Sequence, residues 1–210
     1  LYPSFKCTRK PYWESLSKRE RAYRTIAALQ RLHPTWTFCR TSAAIALGLP
    51  MTLNDLDSVH IAVDPAKRSR ATKGVRRHVV EGDSPIVVRG IRTTSFERTV
   101  FDCMRTVDFG MAVAVSDHVL RQSKLAKAHC SKTGQSKSRY LAYFNSPDMR
   151  KLKGSRRAVI AMLYADPRSE SVGESLSRAA MIEMGFALPD LQTTLPHPLN
   201  PDRKYRVDFC

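Results

Sequence analysis

The sequence predicts an α+β fold, in which several helices pack on a small mixed sheet. Apolar residues make up 42% of the chain, which is sufficient for a hydrophobic core. Capping-box spacing, a Ser or Thr followed three residues later by Glu, predicts three helix starts, at residues 17–20, 94–97 and 171–174. Short alternating or β-branched runs predict three strands, at residues 58–63, 75–80 and 86–88.

In the first half of the chain, two helices precede the strands. Apolar residues recur at helical spacing after Ser17, and Pro34 ends that helix. We expect Ser42 to cap a second, shorter helix that stops at Gly48. After the strands, a third helix is predicted to begin at the capping box of Thr94.

The second half alternates helices with polar segments. A helix is predicted over residues 111–121, and the Lys-, Ser- and Gln-rich residues 122–138 favour a loop, a mobile linker or a disordered insertion. Further helices are predicted over 156–165 and after Ser171. Four prolines then predict an irregular connection before a strand at 205–209.

A change of composition near residues 145–157 predicts a boundary between one domain over 1–150 and a second over 151–210. The chain starts with Leu1 rather than Met, so we expect further sequence upstream. We expect neither a transmembrane helix nor a signal peptide. The five cysteines include no C-x-x-C pair, which disfavours a disulfide framework or a zinc site and favours the cytoplasm.

Positive charge is concentrated in the first three-quarters of the chain. Lys and Arg number 35 against 19 Asp and Glu, a formal net charge of +16. Six basic residues and no acidic one fall within 67–77, and residues 121–157 carry +10, whereas 158–210 carry −2. Such clustering is typical of proteins that bind a polyanion, because each neutralised phosphate releases counterions.

DNA is the partner that this charge favours, and two other interpretations stay open. One is a solvated basic surface that keeps the protein in solution. The other is an anionic membrane surface, although the basic tracts lack the bulky apolar face of interfacial helices. The candidate DNA contacts are Lys67, Arg68, Arg70, Lys73, Arg76 and Arg77 in one segment, and Arg156 and Arg157 at a helix start.

Two further pairs have a structural interpretation. Arg98 and Asp102 lie four residues apart on one predicted helix. They form either a surface ion pair or a contact that orients this helix against the strand at 76–78. His60 and His78 lie on predicted strands without a second histidine at metal-ligand spacing. We therefore expect them to be packed or surface histidines rather than metal ligands.

Three stretches of sequence together are typical of one family. They are TSAAIALGLP (41–50), then GVRRH (74–78) with RGIRTTSFERTVFD (89–102), and last SESVGES (169–175) with Arg178, PDLQ (189–192) and VDF (207–209). Over about residues 36–210, the chain resembles actinobacterial proteins related to the AbiEi-type antitoxins of type IV toxin–antitoxin systems. Many such proteins carry a C-terminal endonuclease-like domain of the very-short-patch-repair, PD-(D/E)xK kind.

The resemblance implies a DNA-associated transcriptional regulator that represses its own promoter, with a winged helix upstream of Leu1 and a toxin as a further partner. It also implies that residues 151–210 are the first helix and strand of a restriction-endonuclease-like α/β domain. In that fold Asp208 is a catalytic residue and ligand of Mg²⁺, and Glu174 supplies a second carboxylate near the metal.

The resemblance places the (D/E)xK strand beyond Cys210. The chain by itself is therefore expected to hold no cofactor and to cleave no DNA, whereas Mg²⁺ is expected in a complete endonuclease domain. Capping or an ion pair with Arg178 stays open for Glu174, as does a plain polar position at a strand end for Asp208. A Mg²⁺-dependent nuclease and a protein-interaction module with an acidic partner stay open beside the regulator.

Overall fold

The computed structural model describes residues 10–52, 56–64, 73–129 and 136–210, and for 123–129, 136, 201 and 202 it describes the backbone alone. The chain divides into two compact units, Leu1–Cys103 and Met104–Cys210. A five-stranded mixed sheet lies in the first unit, and helices with a two-stranded hairpin form the second. The predicted α+β class is confirmed.

The first unit surrounds its sheet with helices. The helices are α1 (Lys10–Ser15), α2 (Lys18–Leu32), α3 (Arg40–Leu47) and α4 (Phe96–Met104), which reaches one residue past the division. The strands are β1 (Thr37–Phe38), β2 (Val59–Val63), β3 (Val75–Val79), β4 (Ile86–Val88) and β5 (Ile91–Thr93). Their order is β3-β2-β1-β5-β4; β2–β3 and β1–β5 are parallel, and the other two pairs are antiparallel.

The core of the first unit lies between this sheet and the helices α2 and α3. Its buried residues are Ile26, Leu29, Phe38, Ile45, Ala46, Ile61 and Ile91. Because side chains alternate along a strand, the residues on either side of Ile61 point away from this core. The sheet therefore has a core face, which carries Ile61, and an opposite face, which carries His60 and Ala62.

The predicted cap of α2 is confirmed, and the one predicted for α3 is wrong. The Ser17 hydroxyl accepts from the Glu20 amide at 3.2 Å, and the Glu20 carboxylate accepts from the Ser17 amide at 2.9 Å. Ser42 lies inside α3, where its buried hydroxyl accepts from the His60 amide at 2.8 Å. Ser42 thus ties the helix to a strand, a long-range contact that local spacing does not reveal.

The predicted cap of α4 is displaced by one residue. The Thr94 hydroxyl hydrogen-bonds the Thr99 hydroxyl at 2.8 Å, and the Ser95 hydroxyl accepts from the Arg98 amide at 3.3 Å. Arg98 and Asp102 form an ion pair at 2.9 Å, with both side chains buried rather than on the surface. Arg98 also donates to the Glu81 carbonyl, just after β3, so this pair orients α4 in the first unit.

The second unit is a helical cluster with a hairpin. Its elements are α5 (Phe109–His129), α6 (Ser136–Phe144), α7 (Pro147–Arg150), α8 (Ser155–Tyr164), α9 (Val172–Glu183), β6 (Leu191–His197) and β7 (Asn200–Phe209). The helix α5 packs against both α8 and α9. For this reason the compact units divide at 103/104 rather than at the predicted 150/151. No helix in the described parts of the chain is long and apolar enough to span a membrane.

Two predictions about irregular segments are wrong. The helix α5 continues to His129 and α6 begins at Ser136, so the loop predicted over 122–138 is helical wherever the structure describes it; residues 130–135 lie outside the described parts. The proline-rich connection contains β6, in which Pro196 pairs with Lys204 of β7. In a two-stranded sheet both strands are edges, so proline is tolerated. The strand predicted at 205–209 is confirmed within β7.

A buried ion pair joins the helices of the second unit. Asp117 of α5 and Arg178 of α9 are 1% and 3% exposed, and Arg178 donates to both carboxylate oxygens at 2.7 Å. Asp117 also accepts from the Ser175 hydroxyl at 2.8 Å and the Asp166 amide at 2.7 Å, and Arg178 donates to the Tyr164 carbonyl at 2.6 Å. Burial raises the pKa of Asp117, and these donors oppose that rise.

A second long-range contact in this unit depends on a glycine. Gly154, which precedes α8, has φ 85°, and a Cβ there would lie 2.2 Å from the Arg105 carbonyl oxygen. Arg105 donates to the Lys153 carbonyl at 3.0 Å, and Arg157 donates to the Val107 carbonyl at 2.6 Å. The start of α8 is therefore fastened to the segment between α4 and α5.

We expect Gly154→Ala to lower the free energy of unfolding by about 2–5 kcal/mol, the sum of a left-handed alanine and an overpacked contact. Gly185→Ala is the matched control, because φ is 78° there and nothing lies within 4 Å of the added Cβ. That control should cost only about 1–2 kcal/mol. Urea denaturation measures both; equal losses would contradict the close approach at Arg105.

We expect Asp117→Ala to cost about 3–5 kcal/mol, because it leaves a buried guanidinium without its carboxylate. Asp117→Leu combined with Arg178→Met should cost less than the sum of the two single changes, since neither charge is then left alone. Asp148→Ala, in the exposed pair with Lys151, is the control and should change stability little. Additive costs in this double-mutant cycle would show that the pair is not coupled.

Candidate functional site

The two carboxylates predicted for a catalytic site lie next to the same side chain. Gln192, on β6, donates from Nε2 to Glu174 Oε2 at 3.1 Å and to Asp208 Oδ1 at 3.2 Å. Glu174 lies in the first turn of α9, and Asp208 is exposed on β7. We call Glu174, Gln192 and Asp208 the carboxylate cluster.

Local sequence explains the position of each member of the carboxylate cluster. Ser171 caps α9 by accepting from the Glu174 amide at 3.1 Å, and the Glu174 carboxylate accepts from the Ser171 hydroxyl and the Glu170 amide at 2.8 Å. The capping prediction for Ser171 is confirmed. Gln192 has φ 58°, which is uncommon for a residue other than glycine, and its Oε1 accepts from Arg206.

The carboxylate cluster supplies oxygen atoms suited to a hard cation. Burial acts to raise the pKa of Glu174, but hydrogen bonds from Glu170, Ser171 and Gln192 hold it below its ordinary value, so the carboxylate is ionised. The two carboxylates fit part of a Mg²⁺ shell, whereas the Gln192 amide turns its Nε2 to them and its Oε1 to Arg206. Among the described residues, no group of three or more His, Cys, Asp or Glu side chains is arranged to hold a metal.

The predicted DNA-contacting segment is described only in its second half. Lys67, Arg68 and Arg70 lie outside the described residues. Lys73 and Arg76 are exposed, and Arg76 lies on β3, at one edge of the sheet. Arg77 is half-buried and pairs with Ile61, which places it on the core face. The structure thus divides these residues between the two faces of the sheet.

The second predicted basic pair, Arg156 and Arg157, begins α8. Both residues are exposed, and the guanidinium of Arg157 donates to the Val107 carbonyl. Arg157 therefore has a structural role that accounts for its position without a ligand.

The two histidines expected to be packed or on the surface form a pair. His60 Nδ1 and His78 Nε2 are 2.9 Å apart, and their rings are inclined by only 6°. Burial, followed by the charges of His78, Arg40 and Arg76, lowers the pKa of His60 to about 4. The His60 ring is therefore neutral at pH 7.

Comparisons with known proteins identify relatives but no family. No protein-family model matches the chain, and no solved structure matches it. Two uncharacterized proteins of Mycobacterium tuberculosis, from strains CDC 1551 / Oshkosh and ATCC 25618 / H37Rv, are each 28% identical over 187 residues. The match covers 87% of this chain and 64% of each relative, so the chain spans less than two thirds of their length.

Sequence reasoning gave no role to Gln192, Asp117 or the histidine pair. Gln192 belongs to the PDLQ stretch, but the prolines of this region indicated an irregular connection, so its hydrogen bond to Asp208 across a hairpin was not predicted. Asp117 lies 61 positions before Arg178, and no local pattern links them. The alternation of side chains along β2 and β3 could have shown which face of its strand each histidine occupies. That the two histidines are neighbours depends on how the strands pair, which the sequence does not reveal.

Proposed function

We propose that this chain belongs to a DNA-associated transcriptional regulator of the antitoxin type, and that it binds the phosphate backbone through the basic segment 67–77. The observation that carries the proposal is the composition of the sheet. The five strands, as the structure describes them, contain three arginines and two histidines and no acidic residue. Among these side chains Arg76 and Arg92 are exposed, and exposed arginines on strands without carboxylates suit phosphate contact, which gives affinity rather than sequence specificity.

Geometry adds support for this segment. The strand β3 forms one edge of the sheet, and Lys73 and Arg76 are exposed there. Base recognition and the contact with a toxin belong, in this proposal, to the longer protein. A protein-interaction module with an acidic partner would use the same surface, and its binding would be blocked by an acidic polypeptide as effectively as by DNA.

We expect DNA affinity to fall steeply with salt. Changing Lys67, Arg68 and Arg70 to Gln should reduce the slope of log K against log[salt] by about 2–3, since each phosphate contact contributes roughly 0.9. Fluorescence anisotropy with a labelled duplex measures the slope.

The matched control changes three exposed basic residues elsewhere, Lys10, Arg31 and Arg203, to Gln. It removes the same charge and should lower the slope by less than one contact. A wild-type slope near zero, or equal losses in both triple variants, would reject binding through this segment.

A Mg²⁺-dependent endonuclease is a second candidate, favoured by one observation: Gln192 brings Glu174 and Asp208 to a common point. In this function Glu174 and Asp208 would hold Mg²⁺, with the remaining ligands outside this chain. The metal would activate a water and neutralise the scissile phosphate. Gln192 would orient the two carboxylates, and Arg206 would hold the Gln192 amide.

For the endonuclease, the full-length product of the gene should cleave plasmid DNA with Mg²⁺, and Asp208→Asn should abolish cleavage by removing a metal ligand. Gln192→Ala should lower the rate about 10- to 100-fold, as loss of a ligand-orienting contact does. Asp148→Asn, an exposed carboxylate away from the cluster, is the control and should cleave normally. Unchanged cleavage by Asp208→Asn would remove this residue from the site.

A further inference from the structure

The opposite face of the sheet carries a group of basic side chains that includes residues outside the proposed DNA-binding segment 67–77. In the parallel pair β2–β3, His60 faces Arg76 and Ala62 faces His78. Paired residues of neighbouring strands lie on the same face of a sheet, so His60, Arg76 and His78 share one face. Since Ile61 lies in the core, this face is opposite the one that packs against the core residues of α2 and α3.

The backbone of His60 is fixed from both sides. Its amide donates to Ser42 of α3 at 2.8 Å, and its carbonyl accepts from the Cys39 amide at 3.0 Å. Arg40, the first residue of α3, has φ 49°, an uncommon conformation for arginine. Arg40 and His60 are therefore held near each other by the contact between α3 and β2.

The electrostatics around His60 are those of an anion site. The charged groups that act on it are His78, Arg40 and Arg76, all basic, and each opposes a positive charge on the ring. An anion among these side chains would reverse that balance, because it attracts both arginines and stabilises protonated imidazoles.

Acidic residues lie next to this group, because the cleft that they line includes Ala62, which faces His78. An open cleft of about 440 Å³ beyond the carboxyl ends of β2 and β3 is lined by Asp64, Glu81 and Asp83. Asp83 accepts from the Ser95 amide and hydroxyl, at 3.0 and 2.5 Å. On β5, Arg92 donates to Thr37 of β1 at 3.1 Å. Because these carboxylates repel phosphate groups, a bound polyanion should not extend over this cleft.

We propose that Arg40, His60, Arg76 and His78 form a binding site for one phosphate group of a DNA backbone, and that a proton enters the site with the phosphate. The site rests on the proposed DNA association, for which it supplies a contact. In the neutral pair, one N–H is shared between the rings. Protonation adds an N–H donor on an outer ring nitrogen, and the phosphate oxygen accepts from it. The proton comes from solvent and stays on the imidazole pair.

The sign of the pH dependence follows from this coupling. Phosphate binds the protonated pair better, so it raises the pKa of His60 from about 4. Affinity therefore rises as pH falls through the pKa of the complex, and it levels off below the pKa of the unbound protein. A group that binds one proton with the ligand allows up to about tenfold in affinity per pH unit.

The first test measures affinity for a labelled duplex by anisotropy at constant ionic strength, from pH 7.5 to 5.5. Wild type should tighten about tenfold, within the limit for one coupled proton. His60→Gln combined with His78→Gln should change less than twofold over the same range. The control combines His118→Gln with His197→Gln, in the second unit, and should keep the wild-type response. Circular dichroism at each pH verifies that every variant is folded.

The second test does not depend on DNA. Saturating inorganic phosphate, with chloride at equal ionic strength as control, should raise the pKa of His60 from about 4 to about 6.5 in an NMR titration of the full chain, which is the rise that a tenfold gain in affinity at pH 5.5 requires. If the duplex does not bind but phosphate raises this pKa, the proposed function fails and the site stands. An unchanged pKa with phosphate, or wild-type pH dependence in the double histidine variant, would overturn the site.

Discussion

The carboxylate of Asp117 is the contact on which the second unit depends. It lies buried on α5 and accepts from Arg178, Ser175 and the amide of Asp166, which belong to α9 and to the segment before it. Removing two opposite charges from water costs several kcal/mol each, so the pair persists only because so many donors converge on one carboxylate. That geometry fixes the position of α9 along α5. This contact also fixes the position of Glu174 in the carboxylate cluster, because Glu174 lies one residue before Ser175.

Local chemistry explains which parts of this arrangement could be predicted. The caps at Ser17 and Ser171 follow from residues three positions apart, and both were predicted. At Thr94 and Ser42 the same residue types make different contacts, because the hydroxyl bonds Thr99, five residues further on, or the distant His60 amide. The strand β6 was missed because proline usually interrupts sheets, whereas an edge strand tolerates it. The candidate site depended on that strand, so Asp208 and Glu174 were predicted singly and their connection through Gln192 was not.

Sequence also overstated how much positive charge is available to a partner. Residues 121–157 carry +10, the largest cluster in the chain. In the structure, Arg121 donates to the Ser169 carbonyl, Lys137 to those of Leu163 and Ala165, and Arg157 to that of Val107. These cations satisfy carbonyls that helices and turns leave without an amide partner. Three of the eleven basic residues in this cluster therefore hold the second unit together.

The sheet of the first unit presents the opposite case. Its strands carry fewer charges, but alternation separates them cleanly: Arg77 goes to the core face with Ile61, while Arg76 and the histidine pair go to the other. A single strand thus supplies one arginine to the fold and another to the surface. The net charge does not distinguish these two arginines, because it counts each of them as +1. What distinguishes them is the register of β3 against β2, and with it the pKa of His60, which burial lowers most and the charges of His78, Arg40 and Arg76 lower further. Burial and the neighbouring arginines disfavour the protonated form of His60. An anion that stabilises this protonated form therefore binds more tightly when the proton is present.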